Sequence, residues 1–298
     1  MLRIVHISDL HLGEPYLPSV ADTLLKLVPT LEPDAIVVSG DLTQRARRSE
    51  FVAARGLLDA LPEVPRIVVP GNHDVPLYRV WERLRRPLGN YREHIQPQLD
   101  GVTRLDGAVI VWLDSTAPRR AVTNGRIDRR QLEFLEQQLA DVPPETLKIL
   151  VAHHHFAPAP DFEHDRTLPG ARRALDLLVR LRVDLVLGGH LHRAYIGNSL
   201  DVYAGRDREH GTIIVQCGTS TSRRGRGRER EKNSFNLIEA GDERITVTHF
   251  LHFADHDRFE AVSRHVFPRP GRRSFESGQV VCGENEPEPR SAGVPRLI

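Results

Sequence analysis

The chain alternates short apolar runs with longer amphipathic segments from its first residues to residue 187. The short runs, rich in Val and Ile, predict buried strands over residues 2–7, 35–38, 66–69, 108–113, 147–152 and 184–187. The amphipathic segments predict helices over residues 19–28, 49–61, 127–139 and 171–181. Strands that alternate with helices are typical of parallel strands joined by right-handed crossovers, so the pattern predicts an α/β fold.

The pattern changes after residue 192, where helical segments give way to short strands. Antiparallel strands are predicted over residues 212–216, 233–239 and 244–253. These strands indicate a second sheet packed on the first. Residues 76–101 lack a regular period and are expected to form a rim or lid.

The C-terminal part of the chain differs from the rest in composition. From residue 254 the apolar period fades and prolines appear at 268, 270, 287, 289 and 295. We therefore expect one folded domain over residues 1–253, followed by a Pro/Arg-rich C-terminal tail over residues 254–298 that is loosely draped or disordered.

Polar residues of a particular kind follow the predicted strands. They are Asp9, His11, Asp41, Asn72, His73, one or two of His153 to His155, His190 and His192. In open α/β sheets, ligands bind beyond the carboxyl ends of the strands, so we expect these side chains to meet at one edge. Taken singly, Asp9, Asp41 and Asp74 would also suit turns or helix caps.

The chemistry of this set indicates metal ions. Carboxylate oxygen and imidazole nitrogen without thiolate favour Mn, Fe or Zn. The ligands are more numerous than one ion needs, so two divalent metal ions are predicted. Two divalent cations beside only two carboxylates, Asp9 and Asp41, leave the site positive. Such a site attracts an anionic ester and suits in-line phosphoryl displacement.

Composition narrows the class of protein. The 298 residues are 40% hydrophobic and 27% charged, which is typical of a globular chain, and the net charge of +1 gives no global attraction to nucleic acid. Two cysteines, Cys217 and Cys282, exclude a disulfide framework and suit a reducing compartment. The N-terminus lacks the features of a signal peptide, and no run is long enough to span a bilayer. We therefore expect a cytoplasmic protein without a membrane partner.

Five motifs occur in a recognisable order. They are Asp9-x-His11, Gly40-Asp41, Gly71-Asn72-His73-Asp74, His153-His154 after a strand, and Gly189-His190-x-His192. As a set, over roughly residues 1–253, they resemble the calcineurin-like metallophosphoesterases, nearest to the class III cyclic-nucleotide and glycerophosphodiester phosphodiesterases. The resemblance implies a four-layer αββα sandwich in which helices flank two mixed β-sheets.

The resemblance also implies a role for each motif residue. One metal would be held by Asp9, His11, Asp41 and His192, and the other by Asp41, Asn72, a histidine of the 153–155 run and His190. His73 would stand beside the leaving oxygen as a proton donor, with Asp74 orienting its ring. The chain reads His153-His154-His155-Phe156 where His-His-Pro is commoner in the family, so both His153 and His154 remain candidate ligands.

The predicted function is a metal-dependent phosphodiesterase that hydrolyses a nucleotide or glycerol phosphodiester through a metal-bridging hydroxide. One alternative is a DNA exonuclease of the double-strand-break-repair type, suggested by residues 6–13. The other is a non-catalytic scaffold with the same fold. A small phosphodiester is the expected partner, while nucleic acid and a homodimer stay open.

An arginine-rich loop and one further strand-end aspartate lie outside the five motifs. The loop of residues 223–232 contains six cations and two anions, so it predicts either a polyanion contact or a solvated hairpin loop. Asp114 closes the strand over residues 108–113, and we expect it to cap that strand end or to support the site from behind.

Overall fold

The computed structural model describes residues 1–120, 123–158, 166–202 and 211–269. Its strands are β1 (Leu2–Ile7), β2 (Ala35–Val38), β3 (Arg66–Val68), β4 (Gly101–Leu105), β5 (Ala108–Trp112), β6 (Leu147–Val151), β7 (Leu185–Gly188), β8 (Tyr195–Asn198), β9 (Ile213–Gln216), β10 (Ser234–Ala240), β11 (Arg244–Phe253) and β12 (Arg258–Pro268). Its α-helices are α1 (Pro18–Leu27), α2 (Arg48–Asp59), α3 (Val80–Arg85), α4 (Gly89–His94), α5 (Arg129–Leu139), α6 (Ala171–Arg180) and α7 (Ser199–Val202).

The described strands form two mixed six-stranded sheets. The first has the order β12-β11-β10-β1-β2-β3, and the second has the order β4-β5-β6-β7-β9-β8. β1, β2 and β3 run parallel to one another, as do β5, β6, β7 and β9. The predicted parallel strands are therefore present, but they are divided between the two sheets.

Three layers of apolar side chains hold the fold together. Between the sheets, Ile4 and Val37 of the first sheet pack with Ile149 and Leu187 of the second, and all four are fully buried. The outer face of the first sheet packs on α1, α2 and α4, and the outer face of the second packs on α5 and α6. Each fully buried Val or Ile contributes about 1.5–3 kcal/mol to folding. The expected four-layer αββα sandwich is confirmed.

Local signals explain where two of the helices begin. α1 has a proline at its first position, where the missing N–H needs no partner. α5 follows Asp128, whose carboxylate accepts a hydrogen bond from the backbone N–H of Gln131 at 3.0 Å. The lid expected over residues 76–101 contains α3 and α4, and a further strand, β4, begins at its end.

The grouping of the last strands predicted from the sequence is wrong. β9 pairs in parallel with β7, with Val215 opposite Leu187, and so belongs to the second sheet. β10 instead pairs antiparallel with β1, with Leu237 opposite Val5, which extends the first sheet. A local apolar pattern shows that a segment is extended, but the partner edge that it joins depends on the rest of the fold.

The expected start of the tail at residue 254 is also corrected. Arg258–Pro268 forms β12, which pairs antiparallel with β11 at the edge of the first sheet. Phe259 is the one apolar residue of this strand that is buried, so the segment carries little of the alternation that predicts strands. The remainder of the predicted tail, from residue 270 to residue 298, lies outside the described residues.

Candidate metal centre

The segments that follow the parallel strands are joined by backbone hydrogen bonds. Asp9 N–H donates to the carbonyl of Gly40 at 3.0 Å, which connects the chain after β1 with the chain after β2. Gly189 N–H donates to the carbonyl of His153 at 3.0 Å, which connects the segments after β6 and β7. Across the two sheets, the backbone N–H of His190 donates to Asp9 Oδ2 at 3.0 Å. The carboxyl ends of strands from both sheets therefore meet, as the sequence predicted for ligand-bearing strand ends.

Five candidate ligands have backbones in the left-handed region. The φ angles are 52° for Asp9, 50° for His11, 52° for Asp41, 74° for His190 and 55° for His192. A residue with a Cβ atom costs about 1 kcal/mol or more in this conformation. Such strain persists only where the surroundings impose it, and it concentrates at functional sites.

Four side chains from segments that follow strands of both sheets form a first cluster. Asp9, His11, Asp41 and His192 are buried, and their ligand atoms all lie within 4.8 Å of one another. His192 Nε2 is 3.1 Å from Asp9 Oδ1 and 3.0 Å from His11 Nε2. His11 Nε2 is 3.7 Å from Asp41 Oδ2. These atoms form a compact set of oxygen and nitrogen donors that could hold one metal ion.

A second cluster adjoins the first and shares Asp41 with it. His153 Nε2 is 3.4 Å from Asp41 Oδ1 and 3.3 Å from Asn72 Oδ1. His190 Nδ1 is 2.9 Å from the same Asn72 oxygen. Because Oδ2 of Asp41 faces the first cluster and Oδ1 faces the second, this carboxylate lies between two potential ion positions.

The donor atoms fit divalent cations. Within the described part of the chain, Asp9 Oδ1 and Asp41 Oδ2 are buried and accept no hydrogen bond. Burial opposes ionisation of these carboxyls, but the neighbouring imidazoles hold the pKa of both Asp9 and Asp41 well below the usual range. Buried, ionised and unpartnered oxygens are costly unless a cation compensates them.

The imidazoles are oriented by contacts behind them. His153 Nδ1 donates to the carbonyl of Ser39 at 2.7 Å, and His192 Nδ1 donates to the carbonyl of Arg224 at 3.0 Å. Both rings therefore direct Nε2 towards the clusters, as is common for metal-binding histidines. Burial lowers the pKa of His11 to about 4, which keeps this ring neutral and able to coordinate.

The geometry distinguishes His153 from His154. Nε2 of His153 lies in the second cluster, whereas Nδ1 of His154 pairs with the hydroxyl of Ser115 at 2.8 Å. The ring of His154 packs against those of His153 and His190, with centroids 5.0 and 4.7 Å away. The structure thus brings His153 together with Asp41 and Asn72, and it places His154, also predicted as a ligand, behind them.

His73 lies beside the clusters rather than within them. Its ring is 4.8 Å from the ring of His11 between centroids, and its backbone N–H donates to Asp41 Oδ1 at 2.8 Å. Nδ1 donates to the carbonyl of Gln44 at 3.0 Å. His73 is only partly buried, so this side of the centre is accessible.

The predicted orienting role of Asp74 is wrong. Its carboxylate accepts hydrogen bonds from the backbone N–H groups of Leu42, Thr43 and Gly71 at 3.1, 2.9 and 2.9 Å. The carbonyl of Gln44 holds the ring of His73 instead. Asp74 belongs to a tight turn that directs its side chain back beneath the segment after β2. Burial, together with the charge of Asp41, raises the pKa of Asp74 to about 7.

Several supporting residues were missed in the sequence. Ser8 donates to Asp9 Oδ2 at 2.7 Å, and the hydroxyl of Thr219 donates to the carbonyl of Asp9 at 2.7 Å. The hydroxyl of Thr221 donates to the carbonyl of Leu10 at 3.0 Å. Thr219 and Thr221 belong to the buried segment Gly218-Thr219-Ser220-Thr221-Ser222. The sequence does contain a signal for them, because this polar run begins just after Cys217, the residue that follows β9.

The loop of residues 223–232 folds against the centre. Arg224 is half-buried, and its Nη1 donates to Oε1 of Gln44 at 3.0 Å, while its carbonyl accepts from His192. Arg223, Arg226 and Arg228 are exposed. The exposed arginines fit the interpretation of this segment as a solvated hairpin loop. Arg224, in contrast, lies at the rim of the site through its contact with Gln44.

Two roles were expected for Asp114, a cap of the strand end or support of the site from behind, and the structure shows the cap. Its Oδ1 accepts a hydrogen bond from the backbone N–H of Thr116 at 2.8 Å. Burial raises the pKa of this carboxyl to about 7. Asp114 therefore closes the turn after β5, next to Ser115, which holds His154.

Two helix-flanked sheets that bring together two adjoining clusters of candidate ligands, with Asp41 between them, are the arrangement expected of a dinuclear metallohydrolase. The chain belongs to the calcineurin-like phosphoesterase family, whose sequence model matches residues 2–194. It is accordingly a metal-dependent phosphoric ester hydrolase, of a family that binds two metal ions.

Curated relatives carry phosphodiesterase names. The chain is 31% identical over 216 residues to a probable cyclic nucleotide phosphodiesterase of Synechococcus. The matched region covers 68% of this chain and 79% of the relative. It is 30% identical to a cAMP/cGMP dual specificity phosphodiesterase of Mycobacterium tuberculosis, over 63% of this chain and 61% of the relative. It is 29% identical to a probable glycerophosphodiester phosphodiesterase of Arcobacter nitrofigilis, over 54% of this chain and 58% of the relative.

Solved structures share the fold. A dimetal phosphatase of Danio rerio superposes with a TM-score of 0.62 at 13% identity, over 90% of this chain and 99% of that one. A purple acid phosphatase of yellow lupin superposes with a TM-score of 0.67 at 16% identity, over 91% of this chain and 54% of that one. At these identities the likeness concerns the fold. Among the described residues, no helix is long and apolar enough to cross a membrane.

Proposed function

We propose that this chain is a dinuclear phosphodiesterase that hydrolyses a nucleotide or glycerol phosphodiester. The observation that carries the proposal is the position of Asp41, whose two oxygens face two separate sets of donors. The names of the curated relatives support a small diester as the substrate. A chain with only two cysteines suits a reducing compartment, and this supports a cytoplasmic site of action.

The proposed ligands follow from the two clusters. Asp9, His11, Asp41 and His192 would hold one ion, and Asp41, Asn72, His153 and His190 would hold the other. The mixture of carboxylate, amide and imidazole donors suits Mn, Fe or Zn. Bound there, the two ions would supply an activated water and stabilise the charge that develops on the phosphoryl group.

His73 is the proposed proton donor. Because its Nδ1 proton is committed to the carbonyl of Gln44, the ring can give a proton from Nε2 only when it is in the cationic form. Its partly exposed position beside Asp41 and His11 suits contact with a departing alcohol. Gln44 also receives the Arg224 guanidinium, so the proton donor and one cation of the rim share a support.

The test is a substrate panel with Mn supplied. It contains a cyclic nucleotide, a glycerophosphodiester, a nitrophenyl diester, the matching monoesters and linear duplex DNA, and the metal content of the protein is measured in parallel. We expect turnover of small diesters to exceed that of monoesters and of DNA. Preferred cleavage of DNA would contradict the small-substrate assignment. Two bound metals without cleavage of any ester would favour the scaffold instead.

A further inference from the structure

An exposed apolar surface lies next to the metal centre. It consists of Leu77, Tyr78, Val80, Trp81 and Leu84, and we call it the lid surface. Trp81 is 75% exposed and Tyr78 is 71% exposed. These five residues are more than half of the large hydrophobic residues that are exposed in the described ranges, and helix α3 among them buries none of its side chains. Five exposed apolar side chains within eight residues, a tryptophan and a tyrosine among them, are typical of an interaction site.

The lid surface is anchored in a defined position. Arg79 donates from its two terminal nitrogens to the carbonyls of Arg45 and Ala46, at 3.0 and 2.8 Å. The guanidinium of Arg45 lies 4.7 Å from the ring centroid of Tyr78. These contacts hold the exposed apolar side chains against the segment that follows β2, so their exposure belongs to the folded arrangement.

The same contacts place the lid surface at the rim of the metal centre. Tyr78 lies on Arg45, and Arg45 follows Gln44, whose carbonyl holds the ring of His73. Whatever covers the lid surface therefore comes close to the accessible side of the centre.

The charge around the lid surface is positive. Residues 77–86 contain four arginines and one glutamate, a net charge of +3. Beside them is a cleft of about 820 Å³ whose wall carries the arginines Arg85, Arg86, Arg92, Arg119, Arg120 and Arg126. Within the described ranges, no carboxylate forms an ion pair with any of these six guanidinium groups.

The acidic residues of this arginine cleft are engaged elsewhere. Asp100 accepts from the backbone N–H of Asp114 and the amide of Gln131, both at 2.8 Å. Asp114 accepts from Thr116, and Asp128 caps α5. Arg92 and Arg119 each donate to a backbone carbonyl, and the guanidinium of Arg85 lies 5.7 Å from the ring centroid of Trp81. None of these contacts neutralises a charge, so the cleft, with six arginines and three aspartates in its wall, keeps an excess of positive charge for an anion that comes from outside the chain.

We propose that the lid surface and the arginine cleft together bind an anionic phospholipid bilayer. The apolar side chains would enter the boundary between headgroups and acyl chains, and the arginines would pair with lipid phosphates. A second copy of the chain fits less well, because a two-fold contact would bring two patches of charge +3 together. The sequence predicts no membrane partner because no run can span a bilayer, but a surface that lies on a bilayer needs no spanning run.

The experiment uses the full, metal-loaded chain. The chain has only two tryptophans, so Trp112→Phe leaves Trp81 as the one tryptophan, and its emission is excited selectively over that of the tyrosines. Vesicles of phosphatidylcholine alone are compared with vesicles of equal parts phosphatidylcholine and phosphatidylglycerol. We expect a blue shift of Trp81 emission, and quenching by brominated lipid, only with the anionic vesicles. Cosedimentation of the unaltered protein with the same vesicles provides a readout that does not depend on Trp112.

Two sets of variants test the two components. Tyr78→Ser with Trp81→Ser should weaken binding by at least about tenfold, because apolar contact is lost. Arg85→Gln with Arg86→Gln should weaken it by roughly fivefold for each charge removed. Val52→Ser, at an exposed apolar position on α2, is the matched control and should bind like the parent protein.

Several results would overturn the proposal. One is the absence of binding to anionic vesicles, and another is binding that the Tyr78 and Trp81 changes leave intact, which would place the contact on a different surface. A Trp81 shift that depends on protein concentration without vesicles would indicate a second copy. The same shift produced by inorganic phosphate alone would make the cleft a site for free phosphate. All these measurements are independent of the proposed diesterase activity.

Discussion

At the scale of single residues, Asp41 has the most demanding position in the site. It sits in the left-handed region, it is buried, and each of its oxygens faces a different cluster. The sequence marked it as a strand-end carboxylate, and the resemblance to the family marked it as a bridge. The distances that support a bridging role exist only once strands of both sheets are packed together.

Asp41→Asn should weaken both proposed ion positions at once. The amide keeps one weak oxygen donor, replaces the other with a nitrogen that cannot coordinate, and removes one of two negative charges. Loss of outer contacts alone costs 10–100-fold in such sites, so we expect activity to fall by more than about 100-fold. Metal content and turnover are the measurements, with the exposed Asp22→Asn as control. Two metals per chain with near-normal turnover would exclude a bridging role.

His73→Asn should separate proton donation from metal binding. A general acid contributes roughly 10²–10⁴-fold, so a nucleotide or glycerol diester should lose about that factor. A nitrophenyl ester, whose leaving group needs no proton, should lose much less. Metal content should stay unchanged, because His73 lies outside both clusters. Equal losses on the two ester types would refute the acid role, and His256→Asn, at an exposed position, serves as control.

At the scale of elements, the segments that follow the strands decide how closely the clusters approach. Gly71, after β3, lies against Asp41 so tightly that a Cβ atom there would collide with the Asp41 carboxylate and backbone N–H. The Pro-Gly turn was visible in the sequence as a strand terminator. The reason for glycine, which is the close approach of another segment's carboxylate, was not visible.

Gly71→Ala and Gly56→Ala form a matched pair of glycine substitutions. Gly71→Ala should displace Asp41, lower the metal content and destabilise the fold. Gly56 lies within α2 with no atom near the position of a Cβ, so Gly56→Ala should stabilise the protein by about 0.5–1 kcal/mol. Denaturant unfolding and metal analysis measure both effects. A Gly71→Ala protein that retains full metal content would show that the segment after β3 tolerates displacement.

Arg224→Gln should raise the KM for diesters more than it lowers kcat. Arg224 is the half-buried cation of the 223–232 loop and contacts Gln44, whereas Arg228 on the same loop is exposed. Exposed charges are screened within about 10 Å at moderate salt, so Arg228→Gln should have little effect except at low ionic strength. Steady-state kinetics at two salt concentrations test this difference. If both variants behave alike, the loop acts only through its total charge.

At the scale of the whole molecule, the two sheets are joined by a buried ion pair as well as by apolar packing. Arg269, just after β12, donates to Asp184, just before β7, at 3.2 Å, and both side chains are at most 5% exposed. The contact connects the residue that follows the edge strand of the first sheet with the residue that precedes β7 of the second sheet. Residues 258–269 therefore contribute to the fold, although the sequence predicted a tail from residue 254.

Arg269→Met should destabilise the fold by about 3 kcal/mol, because it leaves the Asp184 carboxylate buried without its cation. Burial already raises the pKa of Asp184, with Arg269 acting against that rise, so the variant raises this pKa further. A carboxyl whose folded-state pKa is raised loses stability as pH rises from its unfolded-state pKa to its folded-state pKa, so the deficit should be larger near about pH 8 than near about pH 5. Denaturant unfolding at both pH values tests this. A deficit independent of pH would mean that lost packing, and not the ion pair, is responsible.

Several features followed from the sequence alone, because they depend on local patterns. Apolar runs bounded by turn residues located β1, β2, β3, β5, β6 and β7, and the polar residues directly after them located the ligand-bearing segments. The types of these residues, carboxylate and imidazole without thiolate, indicated divalent metals. Their order along the chain indicated the family that residues 2–194 match.

Other features were decided only by the tertiary structure, because they depend on which distant segments meet. Neighbours far away in sequence decide that β9 joins the second sheet and β10 the first, and that Arg258–Pro268 forms the strand β12. They also decide that His153, and not His154, lies in the second cluster. The replacement of Asp74 by the Gln44 carbonyl as the support of His73 has the same origin. A local pattern states what a segment is able to form, whereas the partner of each backbone edge and side chain is set when all segments pack together.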